Sequence, residues 1–240
     1  MNTPLPGGML KSVMVSRSLS HLETIDAQVA RQSLLLHPFY QCWTRGELPA
    51  AALRDYAAQY YHHVAAFPTY LSALHSHTSD QAVRRQILTN LIDEEAGSPN
   101  HPELWLAFAA SVGVSAETAK NAALWEETRA LIATYKTICR DRTVEEGLAA
   151  LYAYESQIPA VSESKIEGLR THYGVNSEDG LAYFKVHIEA DREHSRVERN
   201  LLESALNDRN AAATSSTVGE ALDALWEMLS GVCRRHQIAC

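Results

Sequence analysis

His187-Ile188-Glu189-Ala190-Asp191-Arg192-Glu193-His194 lies near the end of the most strongly helical part of the chain. At about 3.6 residues per turn, His187, Asp191 and His194 stand at i, i+4 and i+7 and fall on one helix face. Two imidazoles and a carboxylate facing the same way are ligands for a transition metal such as iron or manganese. The same segment is crowded with Glu189, Arg192, Glu193, Arg196 and Glu198, so it also reads as a solvated helix face. Glu189 and Glu193 point away from the comb and read as surface charge in either case. The rest of the chain has to decide.

At 240 residues, with 46% hydrophobic and 21% charged, the composition is that of an ordinary globular protein. A formal charge of −8 argues against a nucleic acid or an anionic membrane as partner, because both reward basic patches. No uninterrupted apolar run approaches the roughly 20 residues that span a bilayer. Cys42, Cys139, Cys233 and Cys240 are scattered without a C-x2-C pair, which signals neither a zinc site nor a disulfide framework. A reducing, cytoplasmic location is expected. Residues 1–17 hold two prolines and a Gly-Gly pair but no convincing apolar signal core, and they read as a disordered lead-in.

After Ser18 almost every segment shows the 3.6-residue period and none alternates like a strand, so the fold class is all-α. A first helix is expected from about Ser20 to Leu36, stopped by His37-Pro38. Phe39 to Trp43 continues it as an aromatic-rich piece, and a long helix follows over Ala50 to His77, with Pro68 as a kink. Ser79 is expected to cap a helix that reaches Asp93-Glu94-Glu95 before Gly97-Ser98-Pro99-Asn100 breaks it. Further helices are expected from His101 to about Gly113, from Ser115 to about Arg140, from the capping box at Thr143 toward Tyr173-Gly174, and from Ser177 to about Leu206. One bundle domain over 18–206 would then be followed by a linker, 207–217, and a C-terminal amphipathic helix within 218–240. That helix is expected to close the bundle or to pair with a second subunit as a homodimer.

A charged side chain on an apolar face is costly to bury unless it is paired or ligates a metal. Glu155 follows Leu148, Leu151 and Tyr152 at helical spacings. Glu94 continues the Ile87, Leu91 stripe, and Glu95 continues that of Leu88 and Leu91, so periodicity leaves both open. His101 opens the next helix after a turn. Glu94, His101, Glu155, His187, Asp191 and His194 thus form a candidate set for two metal ions on at least three helices. Asp191-x-x-His194 has no Glu-x-x-His partner elsewhere, which disfavours a ferritin-type bundle.

This set resembles the site of the haem-oxygenase-like di-metal oxidases. More narrowly, the chain looks like the CADD-like family, that of the chlamydial protein associating with death domains and its bacterial relatives, within the TenA/PqqC superfamily. The resemblance is carried by His37-Pro38-Phe39-Tyr40, by Asp93-Glu94-Glu95 through Ser98-Pro99-Asn100-His101, by Tyr154-Glu155-Ser156-Gln157-Ile158-Pro159 and by His187 through His194. It covers roughly Ser20 to Leu206, and it selects Glu94 over Glu95 because the family's first glutamate lies seven residues before its first histidine. It implies a haem-oxygenase-like bundle of about seven helices plus a C-terminal helix, binding no haem. It also implies an Fe/Fe or Fe/Mn pair that activates dioxygen with an external reductant.

The family's associated product is para-aminobenzoate for folate biosynthesis, made from one of the protein's own tyrosines in a single turnover. By resemblance the consumed residue is Tyr40 and the amino donor Lys165. On an ideal helix Lys165 lies about 15 Å beyond Glu155 and on another face, so only a bend at Pro159 brings its amine to the site. Tyr56, Tyr154 and Tyr183 are either core tyrosines or relays for electrons and radicals. Competing expectations are the same scaffold oxidising a diffusible substrate, by amine oxygenation or fatty-acid decarboxylation; a metal-free bundle, as a quinone-cofactor synthesis oxidase or a thiaminase-like hydrolase using Cys139; and a non-enzymatic protein-interaction bundle.

Overall fold

A computed structural model describes residues 20–239, and the expected lead-in at 1–17 lies outside them. Among the described residues there are eleven α-helices and no strand, and no helix is long and apolar enough to cross a membrane. The first, α1 (His21–Arg31), is opened by a capping box between Ser20 and Glu23. It stops short of the expected Leu36. Leu34 to Leu36 form a tighter turn instead, and the Leu34 N–H donates across the fold to Gln157 Oε1 at 2.8 Å. The next helix, α2 (Pro38–Arg45), starts with proline where no N–H is needed and is capped by His37 Nδ1, which accepts from the Phe39 N–H at 3.0 Å.

The long α3 (Ala50–His77) keeps its expected bounds and continues as a helix through Pro68. In α4 (Gln81–Glu95) the cap is Asp80 and not Ser79, because the Asp80 carboxylate accepts from both the Ala82 and Val83 N–H groups. Asn100 and Glu103 form the capping box of α5 (His101–Ser111). The single helix expected from Ser115 to Arg140 is two, α6 (Ala116–Lys120) and α7 (Glu126–Asp141). Gln59 of α3 takes over the backbone between them, accepting from the Trp125 N–H and donating to the Ala123 carbonyl, both at 3.0 Å.

The helix expected from Thr143 toward Tyr173 is also two, α8 (Val144–Glu155) and α9 (Ile158–Thr171). Pro159 has no N–H for the Glu155 carbonyl four residues back, and its ring would strike that carbonyl. The break therefore falls at Glu155 itself. Ser177 caps α10 (Glu178–Ala205). The last helix, α11 (Ala211–Arg235), begins seven residues before the expected Val218, so most of the predicted linker is helix. Thr214 and Thr217 are buried there, their hydroxyls donating to the Asn210 carbonyl and to Glu146 Oε1. That satisfied polar face is what resembles a loop in the sequence.

The core is continuous and aromatic around α2, α3, α5 and α10. α11 closes it against α7 and α8, burying Leu222, Leu225, Met228 and Leu229. α9 approaches α2 at Gly168, where an added Cβ would lie 2.5 Å from Nε1 of the fully buried Trp43. Because a buried indole has nowhere to turn, Gly168→Ala is expected to cost about 1–3 kcal/mol in stability, read as a lowered midpoint in thermal or urea unfolding.

Candidate metal centre

The six candidate residues come together as two groups of three, all buried: Glu94, His101 and His187, and Glu155, Asp191 and His194. In each group one ligand atom per residue lies within 4.8 Å of the others. α4 supplies Glu94 from its last turn, α5 supplies His101 as its first residue, and α8 supplies Glu155 as its last. The comb on α10 serves both groups, His187 reaching one and Asp191 with His194 the other. Glu95 is exposed, so packing decides what periodicity left open. Glu189 and Glu193 are exposed as well and pair with Arg192 and Arg196.

Backbone and side chains behind the groups aim their donor atoms. The His187 Nδ1–H donates to the Tyr183 carbonyl at 2.7 Å, which leaves Nε2 facing Glu94 Oε1 at 3.9 Å. His194 Nε2 bonds Asp93 Oδ2 at 3.0 Å, turning Nδ1 toward Asp191 Oδ1 at 3.7 Å. Asn90 donates to Glu155 Oε1 at 2.9 Å. His101 Nδ1 lies 2.9 Å from Glu94 Oε2 without hydrogen-bond geometry. Glu155 Oε2, Asp191 Oδ2, His101 Nδ1 and His194 Nδ1 are buried atoms with no hydrogen-bond partner.

Leaving one such atom unpaired costs about 1–3 kcal/mol, so four converging in one place need a common partner. A pair of cations fits, since mixed imidazole and carboxylate donors suit iron and manganese.

The electrostatics agree. Burial, then the neighbouring Glu155 and Glu94, push the Asp191 carboxyl well above the usual range. Burial raises Glu155 too. Burial and His101 hold the His187 imidazole well below its ordinary value. His194 is pulled down by burial but pushed up to about 10 by Asp191, Glu155 and Asp93. Carboxylates that resist charge beside imidazoles that compete for protons are stabilised together by positive ions.

A cavity of about 10 Å³, the room of one water, lies between the groups and is lined by Glu94, Glu155, His187 and Asp191 with Tyr154 and Tyr183. The Tyr183 ring lies against that of His187, centroids 3.9 Å apart. Tyr154 bonds Tyr60, hydroxyl to hydroxyl, at 2.8 Å. Tyr60 packs on Tyr56, and Tyr56 shares a 3.3 Å bond with Tyr40. Lys165 ends in this cluster, its Nζ donating to the Tyr56 hydroxyl at 2.7 Å and lying 5.5 Å from the centre of the Tyr40 ring. The break before Pro159 supplies the bend that brings it there. Burial holds the Lys165 amine down at about 7.

Three residues here were missed by sequence reasoning. Glu198 is buried against Glu155 and raised well above the usual carboxyl range by burial and that neighbour. It continues the comb one more step, four residues past His194, and that spacing was the available signal. Asn90 and Tyr60 carried no signal beyond helical position. Cys139 is fully buried, with burial pushing its thiol up, and is no nucleophile for a hydrolase.

The family model described as iron-containing redox enzyme matches residues 54–226. The chain belongs to that family. A relative from Chlamydia pneumoniae named 4-aminobenzoate synthase is 45% identical over 88% of this chain and 94% of its own length. One of the same name from Nitrosomonas europaea is 40% identical, over 91% of this chain and 92% of its own. Among solved structures, a haem oxygenase-like domain from Shewanella denitrificans superposes with a TM-score of 0.78 at 18% identity, covering 92% of this chain and 95% of that one. A CADD-like protein from Nostoc punctiforme gives 0.71 at 17%, covering 91% and 99%. These neighbours establish the haem oxygenase-like all-helical fold for this family member.

Proposed function

We propose that this chain is an oxygen-dependent dinuclear oxidase that makes 4-aminobenzoate, taking the ring from the side chain of Tyr40 and the nitrogen from Lys165. The observation that carries this reading is Lys165 itself: a buried amine held near a pKa of about 7, against Tyr56 and beside the Tyr40 ring. The names of the relatives at 40–45% identity support the product.

Glu94, His101 and His187 would hold one ion and Glu155, Asp191 and His194 the other. Ions of iron, or of iron and manganese, would supply the electrons that activate dioxygen, restored by an external reductant. The residues around them do the rest. Near neutral pH a large fraction of Lys165 is uncharged, so Nζ has a lone pair to offer while one of its N–H groups donates to the Tyr56 hydroxyl across their 2.7 Å bond. The rings of Tyr40, Tyr56, Tyr60 and Trp105, each centred between 5.2 and 5.5 Å from Nζ, exclude water around it. The Tyr60–Tyr154 bond joins this aromatic compartment to the cavity between the two groups.

The deciding experiment gives the protein metal, reductant and dioxygen but no organic substrate. Release of 4-aminobenzoate, with mass loss mapped to Tyr40, is the expected result. Product formed while Tyr40 stays intact, or no product with metal bound, would move the reading to a diffusible substrate. The ligand split makes its own prediction: His187→Ala loses the ion of the first group and Asp191→Ala that of the second, read by metal analysis of each purified variant. A chain that binds neither iron nor manganese, and does not respond to His187→Ala, overturns the dinuclear site.

A further inference from the structure

A second cavity, of about 120 Å³, lies between α4, α8 and α10, apart from the small one enclosed by the ligands. Leu71, Ile87, Leu148, Leu151, Val197 and Leu201, with Ala190, supply the apolar half of its lining. Its mouth opens beside Gln86, Thr89 and Glu193, which are exposed. Its floor is Asn90, His194 and Glu198. Asn90 donates to Glu155 and Glu198 is buried beside it, so one layer of side chains separates the floor from the inner cavity.

Between its polar mouth and its polar floor the wall offers water nothing to bond to, and an apolar space of about this size takes up small apolar guests. At about 120 Å³ it is smaller than the roughly 150 Å³ known to admit a benzene ring, which leaves an aminobenzoate or a larger organic acid without room. Dioxygen is small and apolar and partitions into hydrocarbon in preference to water. The other approach, a cleft on the His101 side lined by Asp93, Leu104, Lys185 and Glu189, is broad and open to solvent and does not enclose a guest.

We propose that the cavity walled by Leu151, Val197 and Leu201 is a dioxygen reservoir that feeds the metal centre through the Asn90–Glu198 floor. The proposal rests on the oxidase reading above, and its test separates the two. Crystals of the metal-free protein under xenon pressure are expected to show xenon against Leu151 and Val197, and Val197→Phe is expected to remove it. In stopped flow, the ferrous-loaded protein is expected to react with dioxygen several-fold more slowly after Val197→Phe, with its metal content unchanged. Xenon itself should slow the wild-type reaction, a measurement that needs no variant to fold. A wild-type crystal without xenon in this cavity overturns the proposal. So does a rate indifferent both to xenon and to Val197→Phe, while the oxidase reading stands. A protein that seats xenon yet never consumes dioxygen overturns both.

Discussion

Tyr40→Phe is expected to abolish 4-aminobenzoate release while leaving the protein folded and its metal content intact. The side chain is buried, and its ring sits edge-on to Phe39 at 5.3 Å and near Trp43 at 6.4 Å, contacts that phenylalanine keeps. The change removes one long hydroxyl bond, 3.3 Å to Tyr56, worth about 1 kcal/mol. A loss of product far out of proportion to that small structural cost identifies Tyr40 as the ring donor. Tyr56→Phe removes the partner of Lys165 instead and is expected to slow the reaction without ending it. Quantifying product per chain by mass spectrometry separates the two variants. Undiminished product from Tyr40→Phe would hand the donor role to another tyrosine or to an outside substrate.

Lys165→Met is expected to lose the product too, and to make the metal-free protein more stable at the same time. The amine titrates at about 7 in the folded chain against an ordinary value of 10.5. Between those two values the unfolded chain holds a proton that the folded chain lacks, so wild-type stability rises with pH across that window. Below about 7 both states carry the proton, and the full cost of burying the charge, about 5 kcal/mol, is present. Methionine removes that cost and forfeits the bond to Tyr56, about 1 kcal/mol. The variant should therefore unfold at a higher temperature than wild type near pH 6, with the gap closing toward pH 10. Equal midpoints at pH 6, or a gap that widens with pH, would show that the buried amine carries no such penalty.

Much of this fold is legible because its signals are local. α3 keeps its expected bounds since Pro49 sets its start, and helical period alone puts His187, Asp191 and His194 on one face. What escaped depends on distant partners. Gln59 ends one helix from more than sixty residues away, so the gap between α6 and α7 has no trace in its own sequence. Glu94 and Glu95 continue equally good apolar stripes, and only the seating of α4 against α3, α5 and α10 buries one and exposes the other. Glu198 has Arg196 and Arg199 for neighbours and looks solvated, yet packing against Glu155 buries it. The reach of Lys165 depends on the angle between α8 and α9, which a proline announces but does not measure.

The two groups of candidate ligands both draw on one uninterrupted helix, His187 for the first and Asp191 with His194 for the second, and this gives α10 something like a reading frame. Inserting or deleting a single residue between His187 and Asp191 would rotate everything beyond it by about 100° and carry Asp191 and His194 out of the centre together. Length change in this helix is tolerable in steps of whole turns or not at all, whereas the segment at 206–210 and the turn at 172–177 have no such constraint. Among descendants of this chain, gaps and insertions should gather in those connectors, and the spacing from His187 to His194 should be the last length to drift.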